Sequence, residues 1–408
     1  MPQRTPRPYL LAALLLFLTA RAALAAPLNP LVRPPNIAQV VYGQGGDFTT
    51  NTINKGGTSG KPTAGSLNGP RGAAADPAGG LYIADTQNNR VVYYAAGGST
   101  AVRVYGQAGS FTTNTNNRGA ASGAASADSL SIPESVAVDS AGRLYIADTG
   151  NHRVLYYGDP THPTTATRVY GQAGSFTTAD PPLTVDASTL NNPTGLAVDT
   201  NGGLYIADTN NNRVLYYPAG STTPTRVYGQ GGSFISSAVN KGGLSKDGLN
   251  FPAGIAVDPA NNLYVADQYN NRVLFFPSGS VTPTRVYGQN GSFTSDGIAC
   301  SAAGLSQPMG VAVDPDGSLY AADTACNRAV VFPAGLNTGT GVYGQNGSLD
   351  TGYYNLGGSP SQTNLALPWA AAVGPDGSLY LVDNFNNRVL GYTVPVLTQK
   401  VFLPAVIR

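Results

Sequence analysis

The stretch LYIADTNNNRVLYY, residues 204–217, recurs in six related copies along the chain. The copies begin at Leu81, Leu144, Leu204, Leu263, Leu319 and Leu379. A second pattern, VYGQ, also occurs six times, and its copies begin at Val41, Val104, Val169, Val227, Val286 and Val342. Both patterns return about every sixty residues, and a fixed period of this length is the signature of a repeat architecture.

Each repeat contains four short strand candidates. A run such as LAVD (residues 196–199) comes first, LYIAD and VLYY follow, and RVYGQ ends the unit. The segments between these runs are rich in Gly, Pro, Asn and Asp, which favour turns. Because LYIA and VLYY are apolar throughout, these strands are expected to be buried on both faces. Four antiparallel strands repeated six times predict an all-β, six-bladed β-propeller. The first strand of each blade is expected to lie innermost, with a small residue at its middle: Ala74, Ala137, Ala197, Ala256, Ala312 and Ala372.

The composition agrees with an all-β chain. Only 11% of the residues are charged, compared with about 25% in an average soluble domain. Glu134 is the single glutamate and lysine is scarce, which argues against a mostly helical protein. The formal net charge of +1 argues against nucleic acid or an anionic membrane surface as a partner, because both are held mainly by basic surfaces.

The order of the patterns predicts how the ring closes. The first VYGQ segment, around residues 40–44, precedes any complete repeat, and the last repeat, ending near Tyr392, has no VYGQ segment after it. The N-terminal strand is therefore expected to complete the last blade by pairing with residues 389–392. This pairing would remove the exposed strand edge at the junction.

Both ends of the chain lie outside the repeats. Arg4 and Arg7 precede an apolar run and an A-x-A site at residues 23–25, which together predict a signal peptide over residues 1–25. The alternative is an uncleaved anchor, but the run is short for a membrane span. The propeller is predicted over residues 38–394, and residues 395–408 form a tail that is either a sorting signal or a segment packed on the propeller. We expect a protein that is secreted or at the cell surface, with no membrane span in the mature chain.

Residues 38–394 carry the pattern D-P-x-G-x-LY-x-AD-x-x-NNRV and resemble the NHL repeat family, specifically its secreted bacterial-type members. These are six-bladed propellers named for an Asn-His-Leu signature, of which Asn151-His152 is the nearest equivalent here. Members of the family bind proteins or RNA, act as sensor domains or, in a few cases, are enzymes. The resemblance therefore implies the fold more specifically than the function.

Long segments connect the last strand of each blade to the first strand of the next. Loops of this length are uncommon and often functional. They either form a ligand-binding face or only tie the blades together. They span residues 45–69, 108–132, 173–192, 231–251, 290–307 and 346–367.

One position differs in every repeat while its neighbours recur. It follows the proline before each first strand, so it should surround the mouth of the central channel on the side of the long loops. The only Trp and the only Glu of the chain fall there. Trp369 would offer a stacking surface and Arg71 and Glu134 polar contacts to a small polar or peptide ligand. Alternatively, Arg71 and Glu134 pair with each other and Trp369 fills a gap. The six residues are Arg71, Glu134, Thr194, Ala253, Met309 and Trp369.

A carboxylate and a guanidinium recur in every blade and are interpreted as architecture, because a pair at equivalent places cannot form one catalytic centre. The aspartates are Asp85, Asp148, Asp208, Asp267, Asp323 and Asp383. The arginines are Arg90, Arg153, Arg213, Arg272, Arg328 and Arg388.

Side chains suited to catalysis or metal binding are scarce in the sequence. His152 and His162 are the only histidines, and no Ser-His-Asp arrangement stands out, so no catalytic residue, metal site or cofactor is predicted.

Cys300, in the loop entering blade five, and Cys326, in a turn of the same blade, should share a face and form a disulfide in an exported protein.

The sequence favours a binding or interaction module that takes a protein, a peptide or a small polar ligand at the long-loop face, and it makes an enzyme the less favoured class. The alternatives are a propeller lyase or hydrolase with a site in the central channel, and a structural envelope protein.

Overall fold

The computed structural model describes residues 36–118, 124–158 and 164–393. The predicted signal peptide (residues 1–25), the predicted tail (residues 395–408) and His162 lie outside the described residues. Within the described ranges no helix combines the length and the apolar character needed to cross a membrane.

The described residues form 24 short β-strands, numbered here in chain order. They are β1 (Val40–Tyr42); β2 (Gly72–Ala75), β3 (Leu81–Asp85), β4 (Arg90–Tyr94), β5 (Arg103–Tyr105); β6 (Pro133–Val138), β7 (Leu144–Asp148), β8 (Arg153–Tyr157), β9 (Arg168–Tyr170); β10 (Pro193–Val198), β11 (Leu204–Asp208), β12 (Arg213–Tyr217), β13 (Arg226–Tyr228); β14 (Pro252–Val257), β15 (Leu263–Asp267), β16 (Arg272–Phe276), β17 (Arg285–Tyr287); β18 (Pro308–Val313), β19 (Leu319–Asp323), β20 (Arg328–Phe332), β21 (Gly341–Tyr343); β22 (Pro368–Val373), β23 (Leu379–Asp383) and β24 (Arg388–Tyr392).

Single turns of 3₁₀-helix stand at two recurring places. One lies between the second and third strands of each blade: Thr86–Asn88, Thr149–Asn151, Thr209–Asn211, Gln268–Asn270, Thr324–Cys326 and Asn384–Asn386. The other follows the outer strand: Gln172–Gly174, Gln230–Gly232, Gln289–Gly291 and Gln345–Gly347. A further turn covers Tyr354–Gly357.

The strands form six antiparallel sheets of four strands each, which confirms the predicted six-bladed propeller. Blades one to five are β2–β5, β6–β9, β10–β13, β14–β17 and β18–β21, each in sequence order. Blade six has the order β22-β23-β24-β1, so the N-terminal strand is its outer strand, as predicted. In this junction Val41 lies opposite Leu390, and both side chains are buried.

The first strands of the six blades surround the axis and approach one another closely. A Cβ atom added to Gly195 would lie 2.1 Å from the carbonyl oxygen of Ala253 in the next blade. A Cβ added to Gly254 would lie 2.5 Å from the Met309 carbonyl oxygen. Only small residues fit such a spacing, and these two positions lie two residues before the predicted alanines Ala197 and Ala256.

The apolar core is divided into six layers, each between two neighbouring blades. Between blades one and two, for example, Tyr82 and Val91 pack in one cluster with Leu144 and Leu155. The second and third strands are buried along nearly their whole length, because each sheet contacts a neighbour on both faces. Adjacent blades therefore stabilise each other in the manner of stacked repeats.

Four buried tyrosine hydroxyls at the end of the third strand have no hydrogen-bond partner among the described residues: Tyr94, Tyr157, Tyr217 and Tyr392. Blades four and five carry Phe276 and Phe332 at this place. We expect Tyr157→Phe to leave the free energy of unfolding unchanged or to raise it by up to about 1 kcal/mol, since it removes an unpaired polar group.

The matched control for this prediction is Tyr93→Phe. The Tyr93 hydroxyl donates to Asp76 Oδ2 at 2.8 Å, so its removal should lower the free energy of unfolding by about 1 kcal/mol. Urea unfolding of both variants measures the difference. A larger loss for Tyr157→Phe than for Tyr93→Phe would contradict the expectation.

Candidate functional site

The six residues that vary from blade to blade meet at one end of the propeller axis. Arg71 directly precedes β2, and its equivalents are the second residues of the other five inner strands. All six line a single cavity of about 70 Å³, which we call the channel mouth: Arg71, Glu134, Thr194, Ala253, Met309 and Trp369. The inner strands bring the residues together, because their equivalent positions face a common axis.

Arg71 is held between its two neighbours across the mouth. Its Nη1 donates to Glu134 Oε1 in blade two, and its Cζ lies 4.4 Å from the ring centroid of Trp369 in blade six. The guanidinium thus makes an ion pair on one side and a cation–π contact on the other. Arg71 Nε is buried and has no hydrogen-bond partner among the described residues.

Burial of the carboxyl raises the pKa of Glu134, and the adjacent Arg71 guanidinium acts in the opposite direction. The side chains of Arg71 and Glu134 are only 23% and 11% exposed. The pair is therefore partly shielded from water. An ion pair in such a partly buried place is stronger than one at an open surface.

The other half of the mouth is apolar or internally bonded. Ala253 and Met309 are buried. The Thr194 hydroxyl lies 2.6 Å from the Thr209 hydroxyl, so it is already engaged in a hydrogen bond. The internal pairing of Arg71 with Glu134, one of the two sequence alternatives, is thus present in the structure. A cavity of about 70 Å³ holds only a few water molecules and is too small to enclose a ligand. A ligand would therefore contact the rim of the mouth and stay outside the cavity.

The recurring arginines connect the long loops that surround the mouth. Arg213 Nε donates to Asp208 Oδ2 at 2.7 Å, and both side chains are fully buried. Its Nη1 donates to the Phe234 carbonyl oxygen at 2.5 Å. Its Nη2 donates to the carbonyl oxygens of Asp186 at 2.8 Å and Thr189 at 3.0 Å. One guanidinium therefore fixes the end of the loop entering its blade and the start of the loop leaving it.

The same arrangement occurs in all six blades. The buried Asp–Arg pairs are Asp85–Arg90, Asp148–Arg153, Asp208–Arg213, Asp267–Arg272, Asp323–Arg328 and Asp383–Arg388, with N···O distances of 2.6–2.8 Å. Arg388 bonds the carbonyl oxygen of Phe48, so the series also crosses the ring junction. Each guanidinium makes four hydrogen bonds, which compensates for burying its charge.

A reciprocal pair of asparagine amides attaches each of four loops to a turn of its own blade. Asn88 Nδ2 donates to Asn54 Oδ1 at 2.7 Å, and Asn54 Nδ2 donates back to Asn88 Oδ1 at 3.0 Å. The other three pairs are Asn117–Asn151, Asn240–Asn270 and Asn355–Asn386. In blade five a disulfide stands at this place and joins Cys300 to Cys326, with 5.7 Å between their Cα atoms.

The second residue of each Asn-Asn turn reaches into the next blade. Asn212, whose backbone is left-handed, accepts a hydrogen bond from the Phe251 amide at 2.8 Å. In blade two His152 takes this role, and its Nδ1 accepts from the Asn192 amide at 3.1 Å. Burial lowers the pKa of His152, which agrees with a neutral imidazole that accepts a hydrogen bond.

The long loops and the 3₁₀ turns between second and third strands share one end of the propeller with the channel mouth, which we call the long-loop face. It carries most of the exposed large apolar side chains of the described residues. These are Ile53, Ile132, Leu183, Ile235, Val239, Tyr269, Ile298, Tyr353, Tyr354 and Phe385.

The opposite end, the short-turn face, carries the turns between first and second strands. A cavity of about 390 Å³ at the axis is lined there by Asp76, Asp139 and Asp258. Their carboxylates hold their own turns. Asp76 Oδ1, for example, accepts from the amides of Ala78 and Gly80. Among the described residues, no group of three or more His, Cys, Asp or Glu side chains is placed to hold a metal ion.

Sequence reasoning missed two features of the long-loop face. The asparagine pairs have a visible signal in the related loop segments FTTNTINKGG and FTTNTNNRG, which contain Asn54 and Asn117. The contacts from the second turn residue to the next blade have none, because they join positions about forty residues apart.

Comparisons with known proteins agree with this architecture. The NHL repeat pattern matches residues 67–94, 130–157, 190–217 and 249–276, which lie in blades one to four. Teneurin-1 of Mus musculus is 25% identical over 210 residues. That match covers 47% of this chain and 7% of the mouse protein, so the chain spans a small part of that relative's length.

Two solved structures show a related fold. A structural genomics protein of unknown function from Bacteroides thetaiotaomicron superposes with a TM-score of 0.54 at 16% identity, covering 86% of this chain and 75% of that chain. Hydrazine synthase of Kuenenia stuttgartiensis superposes with a TM-score of 0.50 at 12% identity, and the match covers 84% of this chain and 100% of that chain. The chain thus contains four segments that match the NHL repeat, within a six-bladed propeller.

Proposed function

We propose that the protein is a secreted or cell-surface binding module that takes a protein or peptide partner on its long-loop face. The observation that carries this proposal is the channel mouth. There six equivalent positions hold six different residues, while their neighbours repeat from blade to blade. A position that varies from blade to blade within a regular frame is where a specific contact would be encoded.

The chemistry of the mouth suits a partner that approaches from outside. Arg71 and Trp369 belong to the residue types that dominate the binding energy of protein interfaces. The Arg71 guanidinium is already oriented by Glu134 and Trp369, so little side-chain freedom would be lost on contact. Its Nε is still without a hydrogen-bond acceptor.

The surroundings of the mouth favour a macromolecular partner. Exposed side chains such as Leu183, Ile235 and Tyr353 stand on the surrounding loops. Apolar and aromatic groups with few charges are typical of the centre of a protein interface. The loops are anchored by the buried arginines, so they would present these groups in a fixed arrangement.

Export is supported by two independent features. The N-terminal sequence has the pattern of a signal peptide. The Cys300–Cys326 disulfide is a cross-link that persists in oxidising compartments and is rare in the cytosol.

The proposal can be tested with a peptide display library selected on the mature protein. Trp369 is the only tryptophan, so its fluorescence reports directly on binding at the mouth. We expect selected peptides to change this fluorescence. Their affinity should fall at least about tenfold in Arg71→Ala, as for an interface residue of high energetic weight.

The matched control is Leu336→Ser, which alters an exposed leucine on the connection between the third and outer strands of blade five. This variant should bind the selected peptides normally. If Arg71→Ala and Trp369→Ala bind every selected peptide as the unmodified protein does, the channel mouth is not the site.

A further inference from the structure

Four blades carry an arginine stacked on an aromatic ring at the outer end of the short-turn face. The arginine belongs to the outer strand, and the ring lies opposite it on the third strand. The guanidinium carbon lies 3.9–5.2 Å from the ring centroid in these pairs. They are Arg103–Tyr93, Arg168–Tyr156, Arg226–Tyr216 and Arg285–Phe275.

Blade six lacks both members of this pair. Val40 takes the arginine position and Gly391 takes the aromatic position, as the register shows by placing them opposite each other. Gly374 also replaces the aspartate that ends the first strand in the other five blades. A departure near the start of the chain, at Val40, therefore meets two departures in the last blade, at Gly374 and Gly391.

The missing side chains leave a pocket of about 580 Å³ between blade six and blade one, which we call the seam pocket. Its walls include Tyr42, Tyr380, Pro77 and Pro375. Tyr380 is partly exposed there, whereas the equivalent tyrosines of the other five blades are buried. The two tyrosine rings lie 6.3 Å apart.

The polar groups of the seam pocket lack a positive partner. Asp376 lines the pocket, and none of the residues that line it is cationic. The Tyr380 hydroxyl makes no hydrogen bond within the described residues, whereas the equivalent Tyr320 donates to Asp314 Oδ2 at 3.2 Å. Burial raises the pKa of Tyr380, and the negative charge of Asp376 adds to this effect.

We propose that the seam pocket binds an arginine side chain of a protein or peptide partner, with its guanidinium over Tyr380 and beside Asp376. Val40 and Gly391 occupy the positions that an arginine and an aromatic ring take in four other blades, and the pocket of about 580 Å³ is larger than the cavity of about 340 Å³ beside the Arg103–Tyr93 pair of blade one. It also keeps an exposed aromatic face and a carboxylate, the two groups to which a guanidinium binds. The site lies on the short-turn face, so it is independent of the proposed contact at the channel mouth.

Blade five shows that losing the stacked pair is not sufficient to form such a site. It carries Val331 and Gly341 at the two positions, but it retains Asp314, and Tyr320 remains buried. The combination of a missing pair, a missing aspartate and an exposed tyrosine occurs only in blade six among the described blades.

Saturation-transfer NMR on the full mature chain can test the proposal with two small probes. N-acetylarginine amide carries the guanidinium, and N-acetylcitrulline amide is its neutral analogue. We expect the arginine probe to bind and the citrulline probe to bind at least about fivefold more weakly, since only the first has the charge for a cation–π contact.

Two variants and one control locate the binding. Asp376→Asn should weaken the arginine probe about fivefold. Asp316→Asn, at the same turn position in blade five, should have no effect. The double variant Val40→Arg with Gly391→Tyr restores the pair found in other blades and should abolish binding without lowering the melting temperature.

The opposite results would overturn the proposal. It fails if neither probe binds, if citrulline binds as well as arginine, or if binding survives in the Val40→Arg, Gly391→Tyr variant. Thr393 lines the pocket and the chain continues from it. Binding that appears only after removal of residues 394–408 would identify this segment as the occupant in place of a partner.

Discussion

Replacing Asp208 by alanine should lower the free energy of unfolding by about 3–5 kcal/mol. The substitution leaves the Arg213 guanidinium fully buried, with hydrogen bonds to carbonyl oxygens but no counter-charge. It also removes the acceptor for the backbone amide of Asn191, which lies 2.6 Å from Asp208 Oδ1. An uncompensated buried charge is among the few single changes with an effect of this size.

Urea unfolding followed by circular dichroism measures this loss, with Asp247→Ala as the control. Asp247 pairs with Lys246 at 3.6 Å, but both side chains are about half exposed, so its removal should change stability by less than about 1 kcal/mol. If Asp208→Ala and Asp247→Ala were equally mild, the buried pairs would not hold the blades as described.

Removal of residues 27–45 should abolish the cooperative unfolding transition of the propeller. The deletion takes away β1, the outer strand of blade six, and exposes the edge of β24. Buried Val41 and Tyr42 are lost with it, and so is the Gln44 side chain, whose Nε2 bonds the Asn387 carbonyl oxygen at 3.0 Å. Within the described residues, no backbone–backbone hydrogen bond then joins blade six to the N-terminal part of the ring, and only side-chain bonds such as that from Arg388 to the Phe48 carbonyl oxygen remain.

A synthetic peptide of residues 36–46 provides the specific test of this result. If β1 acts as a separable strand, the peptide should add to the edge of β24 and restore the thermal transition, whereas a scrambled peptide should not. A deletion variant that melts cooperatively, at the temperature of the intact protein, would show that the ring does not depend on β1.

The fold could be predicted because its signals repeat. Six copies of LYIAD and VLYY report the same buried strands, and the VYGQ segment at Val41 could be assigned to blade six because every other blade has one. The convergence of Arg71, Glu134 and Trp369 also followed from their equivalent positions. Whether Arg71 would pair with Glu134 could not be decided, because repeat position does not determine side-chain orientation.

Other features could not be predicted because they depend on departures from the repeat. Asn54 and Asn117 lie in related loop segments, but Asn240 and Asn355 lie in loops of different length and sequence, so their pairs have no common register with the first two. The seam pocket depends on Val40, near the start of the chain, and on Gly374 and Gly391 in the last blade, and Val40 meets the two glycines only after the ring closes. A glycine or valine in one copy gives no signal of the cavity that it creates with the others.

The anchoring of the long loops has a consequence for protein engineering. The loop over residues 173–192, for example, is fixed at Phe176 by Arg153 and at Asp186 and Thr189 by Arg213. Between these anchors the chain contributes little to the frame, and Leu183 is fully exposed. The segments between anchors can therefore be randomised while the arginine contacts, the asparagine pairs and the disulfide are retained. This would turn the propeller into a display scaffold whose six variable loops sit side by side on one rigid face.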